Sequence, residues 1–126
     1  MASLAISIST ARGQTSYSLE DLGVVKEMDY SEAVAINNQG NVTGTAYKGA
    51  DTCAFHYSYK LMQDAGGYNS RGFGISSMNM VVGDAFFGPS MQQTSHAAIF
   101  SGGVAKDLGV LKNQLFSRAN GINALG

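Results

Sequence analysis

Three Asp-x-Gly triplets, Asp21-Leu22-Gly23, Asp64-Ala65-Gly66 and Asp107-Leu108-Gly109, recur at a constant spacing of 43 residues. A fixed period of this size constrains a chain more than its composition does, because each period must build one supersecondary unit that buries its apolar face against its neighbours. Other positions keep the period. Cys53-Ala54-Phe55-His56-Tyr57-Ser58 precedes His96-Ala97-Ala98-Ile99-Phe100-Ser101 by 43 residues, and Leu61-Met62-Gln63 precedes Val104-Ala105-Lys106 by the same distance. Between these anchors the phase slips: Ile36 to Ile75 and Gly44 to Gly83 are 39 apart, and Ile75 to Ile122 is 47. Slips of four residues that cancel belong to loops, the longest of which, Phe87 to Ser95, holds the only proline, Pro89. The units are 21–63, 64–106 and a partial 107–126, within a β-repeat region spanning 14–126.

Each unit divides into four short strand-like segments, in the first unit Ser31 to Asn38, Asn41 to Tyr47, Thr52 to Tyr59 and Leu61 to Gly66. Turn residues separate them, Asn38-Gln39-Gly40 and Lys48-Gly49-Ala50-Asp51, and helical spacing is absent. The first segment sets Ala33 and Ala35 against Val34 and Ile36, and its counterpart sets Gly72 and Gly74 against Phe73 and Ile75. A small face beside a large one lets stacked sheets nest. The prediction is an all-β chain of antiparallel four-stranded units, arranged as a partial propeller-like array. Its structural repeat positions are Asp21, Gly23, Ile36, Gly44, Asp64, Gly66, Ile75, Gly83, His96, Asp107, Gly109 and Ile122. In each Asp-x-Gly the carboxylate is suited to accept backbone N–H groups and the glycine to take a positive φ, a structural turn.

These residues resemble the HAF repeat family of extracellular bacterial proteins. Its units combine an Asp-Leu-Gly strand, an Ala-x-x-Ile-Asn strand, a Val-x-Gly strand and a His-Ala-Phe strand. The matches are Asp21-Leu22-Gly23, Ala33-Val34-Ala35-Ile36-Asn37, Val42-Thr43-Gly44, Ala54-Phe55 and Asp64-Ala65-Gly66, then Val82-Gly83, His96-Ala97-Ala98, Asp107-Leu108-Gly109 and Ala119-Asn120-Gly121-Ile122-Asn123. Departures occur: Cys53 stands where the pattern has histidine, Ala98 where it has phenylalanine, and Ser76 where it has asparagine. The resemblance implies a secreted or cell-surface location and no defined enzymatic activity. Four strands in a unit of this length look like one propeller blade, with a solenoid or sandwich as alternatives. Two units and the start of a third fall short of a closed ring, so further repeats after Gly126 or self-association are expected to complete the stack.

Composition agrees with short strands and tight turns. Glycine is frequent at 16 residues, and charged residues, at 13%, are about half the usual share. With 44% hydrophobic residues the chain is apolar enough to fold. A net charge of −1 and the absence of any Lys/Arg cluster argue against a nucleic-acid partner. No apolar run reaches the roughly 18 residues of a membrane-spanning helix. Residues 1–13 lack acidic groups and carry a small-residue pattern at Ser9-Thr10-Ala11. They read as a signal-peptide remnant, or, since Leu4, Ile6 and Ile8 alternate, as a first strand.

Chemistry is sparse. Cys53, the only cysteine, reads as a small buried strand residue, and with His56 and His96 isolated from any second cysteine no zinc set forms. Glu20 and Asp21 are adjacent and point to opposite faces of an extended segment, which excludes a simple carboxylate pair. No nucleophile motif surrounds either histidine, and Gly72-Phe73-Gly74 is not followed by the helix a phosphate cradle needs. No cofactor, metal or catalytic residue is assigned. Tyr57, Tyr59, Phe86, Phe87 and Phe100 would form a sugar-stacking surface only if their exposed members converged. The expected function is a non-catalytic extracellular module for binding or assembly, with an extracellular protein or glycan as ligand. The alternative is a piece of a secreted propeller-type hydrolase acting on carbohydrate, with its active site in other blades.

Overall fold

A computed structural model describes residue 13 and residues 15–126; Gly13 apart, the segment read as a signal remnant or first strand lies outside the described residues. Strands β1 (Tyr30–Ile36), β2 (Val42–Lys48), β3 (Asp51–Ser58) and β4 (Leu61–Asp64) form one sheet, and β5 (Tyr68–Ile75), β6 (Val81–Phe87), β7 (Thr94–Ser101) and β8 (Val104–Asp107) form a second. Each sheet is an antiparallel meander in chain order, and no helix forms among the described residues. The all-β expectation and the four-stranded antiparallel sheets are therefore observed. Neither sheet closes on itself.

Local chemistry fixes the turns. After β1, Asn37 Oδ1 accepts the backbone N–H groups of Gln39 and Asn41, both at 3.0 Å. After β5, Ser76 Oγ accepts those of Met78 and Met80 at 3.2 and 3.1 Å. Near the C-terminus Asn123 Oδ1 accepts those of Leu125 and Gly126 at 3.0 and 2.9 Å. Substituting Ser76 for asparagine thus keeps the acceptor that the turn requires. Asn37 also donates Nδ2 to the carbonyl of Ser76 at 2.8 Å, so the first turn is tied to the second.

Both sheets carry a register shift in the same place, between Ala33 and Ala35 opposite Gly44, and between Gly72 and Gly74 opposite Gly83. The bulge drives a carbonyl towards the partner strand: a Cβ on Gly44 would run into the oxygen of Glu32, and one on Gly83 into that of Arg71. Glycine is required at both positions by this close approach.

The main core lies between the sheets, where Phe100 and Val81, each 1% exposed, pack with Ala54, Ala85, Ala98 and Ile75. Burying one such phenylalanine contributes about 2–3 kcal/mol. A second core, of Val42, Ala46, Cys53, Phe55 and Tyr57, is covered by Val25 with Leu22 and Met28, from the segment preceding β1. The small residues of β5 serve both neighbours. Gly72 abuts Thr43 and Gly44 of the first sheet, and Gly74 abuts Gly121 and Ile122 on the other side.

The third unit's first strand, expected from the match of Ala119 to Asn123 to the Ala-x-x-Ile-Asn strand and beginning at about Ser117, does not form. That stretch lies across the second sheet, held by backbone bonds from Ser117 N–H to Ser95 and from Ala119 N–H to Gly83, each 3.1 Å. Isolated anchors of this kind do not make the continuous ladder that defines a strand. They do cover the outer face of the second sheet, which sequence reasoning leaves bare: Val82, Asp84 and Ala97 are buried. The three equivalent isoleucines consequently differ, Ile75 buried, Ile122 half-buried and Ile36 69% exposed.

Candidate functional site

Chemistry-bearing side chains gather at three places. The first is the Asp-x-Gly turns. Asp21, Asp64 and Asp107 each accept the N–H of the glycine two residues on, at 2.8, 2.7 and 2.6 Å. Gly23, Gly66 and Gly109 take φ values of 81°, 104° and 76°. Asp64 ends β4 and Asp107 ends β8. His96 on β7 reaches across the hairpin, Nδ1 lying 3.0 and 2.9 Å from the two carboxylate oxygens of Asp107, and Nε2 lies 2.8 Å from Thr94 Oγ1. Phe87 stacks on the imidazole at 5.9 Å. Partial burial works against ionisation of Asp107, but the hydrogen bonds from His96 and the Gly109 N–H, with the histidine charge, hold its carboxyl below the ordinary value.

Hydroxyl, imidazole and carboxylate stand in the order of an acyl-transfer triad. The first sheet shows what the arrangement does. Cys53 pairs with Ala46 as His96 pairs with Ala85, and it faces Asp64. Burial pushes its thiol up to about 12, with the Asp64 hydrogen bond and charge adding to the effect. Cys53 Sγ–H donates to the Ala54 carbonyl at 3.3 Å, so the Asp64 turn forms with no imidazole beside it. His96 is an added clip on the Asp107 turn.

The second place is a buried ion cluster. Asp84 on β6, 1% exposed, accepts Arg71 Nε and Nη2 at 2.9 and 2.6 Å and Arg118 Nε at 3.1 Å. Both guanidinium groups lie against the Phe73 ring, Arg71 at 5.7 Å and Arg118 at 4.9 Å. A buried carboxylate needs such pairing to offset its desolvation. Because Arg118 belongs to the C-terminal segment, the cluster pins that segment to the second sheet.

The third is a cleft of about 380 Å³ where the sheets meet, lined by His56 of β3, Gln63 and Asp64 of β4, Asn79 of the β5–β6 turn and Phe100 with the β7–β8 turn. His56 Nε2 is the one buried side-chain polar atom without a hydrogen-bond partner among the described residues. Burial lowers the His56 pKa against a smaller opposing contribution from Asn79, leaving the ring neutral near pH 7.

No family model, curated protein or solved structure matches this chain. Among the described residues, three or more His, Cys, Asp or Glu side chains nowhere gather as a metal site, and no helix is long and apolar enough to cross a membrane. The repeat positions read from the sequence fall at turns (Asp21, Gly23, Asp64, Gly66, Asp107, Gly109), at bulges (Gly44, Gly83) and at the clip (His96). The aromatic residues do not converge: Phe100 and Tyr57 are buried in different cores, and Tyr59 stands alone at 96% exposure. Sequence reasoning missed the Asp84 cluster and the His56 cleft, whose members meet only through strand register and tertiary packing.

Proposed function

We propose that this chain is a non-catalytic β-repeat module for binding or assembly, built from propeller-like units of about 43 residues and similar to the HAF repeats of secreted or surface proteins. The observation that carries the reading is a latch that occurs twice. Ser70 Oγ of β5 accepts the buried N–H of Ala54 in β3 at 2.9 Å, and Ser117 Oγ accepts that of Ala97 in β7 at 2.8 Å. Ala54 and Ala97 are 43 residues apart, as are the starts of β3 and β7 and of β4 and β8. Ser31 and Ser117 share a further contact, each donating Oγ–H to the carbonyl of the Asp-x-Gly glycine upstream, Gly23 at 3.0 Å and Gly109 at 2.5 Å. One serine per unit thus fastens the entering chain to what precedes it, an arrangement that serves stacking rather than catalysis. The Thr94, His96 and Asp107 relay is a turn clip on this reading, with a counterpart at Cys53 and Asp64 that has no base.

The partners of such a module are further repeat units or a second copy, with an extracellular protein or glycan as ligand. Inserting a second copy of residues 64–106 in frame after residue 106 tests the reading. A repeat array gains a folded unit and nearest-neighbour contacts, so its unfolding midpoint rises and the inserted copy resists proteolysis. A longer chain in which the copy is digested, or whose midpoint falls, would refute the repeat reading. Export is tested separately by the N-terminus and compartment of the protein in its native host.

A further inference from the structure

The cleft between the sheets gathers polar groups from β3, the end of β4 and the β5–β6 turn. His56 projects from β3, opposite Gln63 of β4 and Thr43 of β2, into a space that neither sheet fills. Its Nε2 is enclosed by protein beside Asn79, with no hydrogen bond of good geometry, while the rest of the ring lines the cleft. Around that space stand the amide of Gln63, the carboxylate of Asp64, and Asn79, whose Oδ1 is already engaged by Asn37 and Asn41. Two donors bonded to its oxygen fix the Asn79 carboxamide, so its NH₂ group is held in place.

The lining excludes several ligand classes. No lysine or arginine contributes, which leaves an anion uncompensated, and Asp64 is the only acidic side chain, which is too few for a divalent cation. Apolar contact is limited to Ala65, Val81 and Phe100. What remains is a set of groups that mostly both donate and accept: a neutral imidazole, two carboxamides and the Ser101 hydroxyl, with one carboxylate and one aromatic wall. That set matches a neutral compound carrying several hydroxyls, each of which donates and accepts in turn. A cleft of about 380 Å³ is at the small end of ligand sites and takes one ring of that kind.

We infer that the cleft between His56, Gln63, Asn79 and Phe100 is a binding site for a single neutral sugar or polyol unit. This deepens the binding half of the proposed function. It uses only the contact between the two sheets, so it stands or falls apart from the repeat insertion above.

The test is a titration of the isotopically labelled full chain, followed by amide and imidazole NMR shifts. The probes are the methyl glycosides of glucose, galactose and mannose together with myo-inositol; sodium sulfate and 1,6-hexanediol are the counter-probes. Saturable shifts at His56, Gln63, Asn79 and the Ser101–Gly103 turn are expected with at least one hydroxylated probe. Affinity should weaken roughly tenfold in Gln63→Ala and in His56→Phe, the loss of about one hydrogen bond. Gln63 is exposed at a strand end, so its variant reports even if His56→Phe folds poorly. The inference is overturned if all four hydroxylated probes leave these signals unmoved, if sulfate or hexanediol moves them instead, or if sugar-induced shifts persist unchanged in folded Gln63→Ala and His56→Phe.

Discussion

Replacing Gly83 by alanine tests the account of the bulge. The added methyl would meet the carbonyl oxygen of Arg71 across the β5–β6 pair, with the Gly72 Cα close behind. These are backbone atoms, so relief requires separating the strands rather than turning a side chain. Overpacking of this kind costs about 1–3 kcal/mol. Separation also disturbs the bond from Ala119 N–H to the Gly83 carbonyl, adding about 1 kcal/mol. The sum is about 2–4 kcal/mol, and at about 4 °C per kcal/mol for a domain of this size the melting midpoint falls by roughly 8–16 °C. The control is Gly121→Ala, since a Cβ there meets nothing within 4 Å and the backbone has no positive φ. That change should be neutral, or stabilising by up to about 1 kcal/mol through the unfolded state. Urea unfolding followed by far-ultraviolet circular dichroism, with tyrosine fluorescence as a second probe, gives both values. A Gly83→Ala chain within 0.5 kcal/mol of the parent, a margin of about the surface-substitution scatter, or a Gly121→Ala chain equally damaged, would show that the bulge does not impose glycine.

Asp84→Asn should destabilise by about 2–3 kcal/mol, less than a fully buried pair because Arg71 and Arg118 stay partly solvated, and should raise hydrogen exchange at the Ala97 and Ala119 amides as the C-terminal segment loosens. Unchanged exchange at both amides would remove Arg118 from its pinning role. The depressed Asp107 pKa means its stabilisation is fully present above the unfolded value near 4 and is lost as pH falls through the lower folded value; His96→Ala should shrink that acid-side loss in urea midpoints measured from pH 6 to pH 2. With its thiol pushed up to about 12 and 4% exposed, Cys53 should resist a thiol-specific disulfide reagent at pH 8 in the folded chain and react at once in denaturing urea. Rapid reaction in the folded chain would place Cys53 outside the core.

Strand positions were legible because period-2 alternation and turn residues are local. Ser31 to Asn38 and Asn41 to Tyr47 differ from β1 and β2 by a residue or two at the ends, and β4 and β8 each end on the aspartate of their triplet. The small face and large face read for this strand do not form: the bulge between Gly72 and Gly74 turns the two glycines to opposite neighbours and sends Phe73 to the Arg118 side while Ile75 enters the core between the sheets. The reason Gly44 and Gly83 are glycine was not, since a bulge is a property of two strands and only one carries the mark. His96 and Asp107 are 11 residues apart and meet only once the β7–β8 register is set, with Ala98 opposite Asp107. Counting back from the Gly102-Gly103 turn would have revealed that pair. Nothing local marks Arg71, Asp84 and Arg118 as partners, since the first two meet through the β5–β6 register and the third through the path of the C-terminal segment, and the cleft beside His56 arises from how one sheet sits on the next.

The double membership of β5 bears on how the molecule comes apart. By hydrogen bonding it belongs with β6, while its Ser70 caps an amide of β3 and its Gly72 presses on β2. A protease cut in the β4–β5 connection therefore does not release two independent halves: the nicked chain keeps the strand seated, and each fragment alone loses a wall of the same core. Expressed separately, residues 15–66 and 67–126 should behave as complementing pieces that regain structure on mixing, and the boundary that looks natural in the sequence is the poorest place to divide the protein.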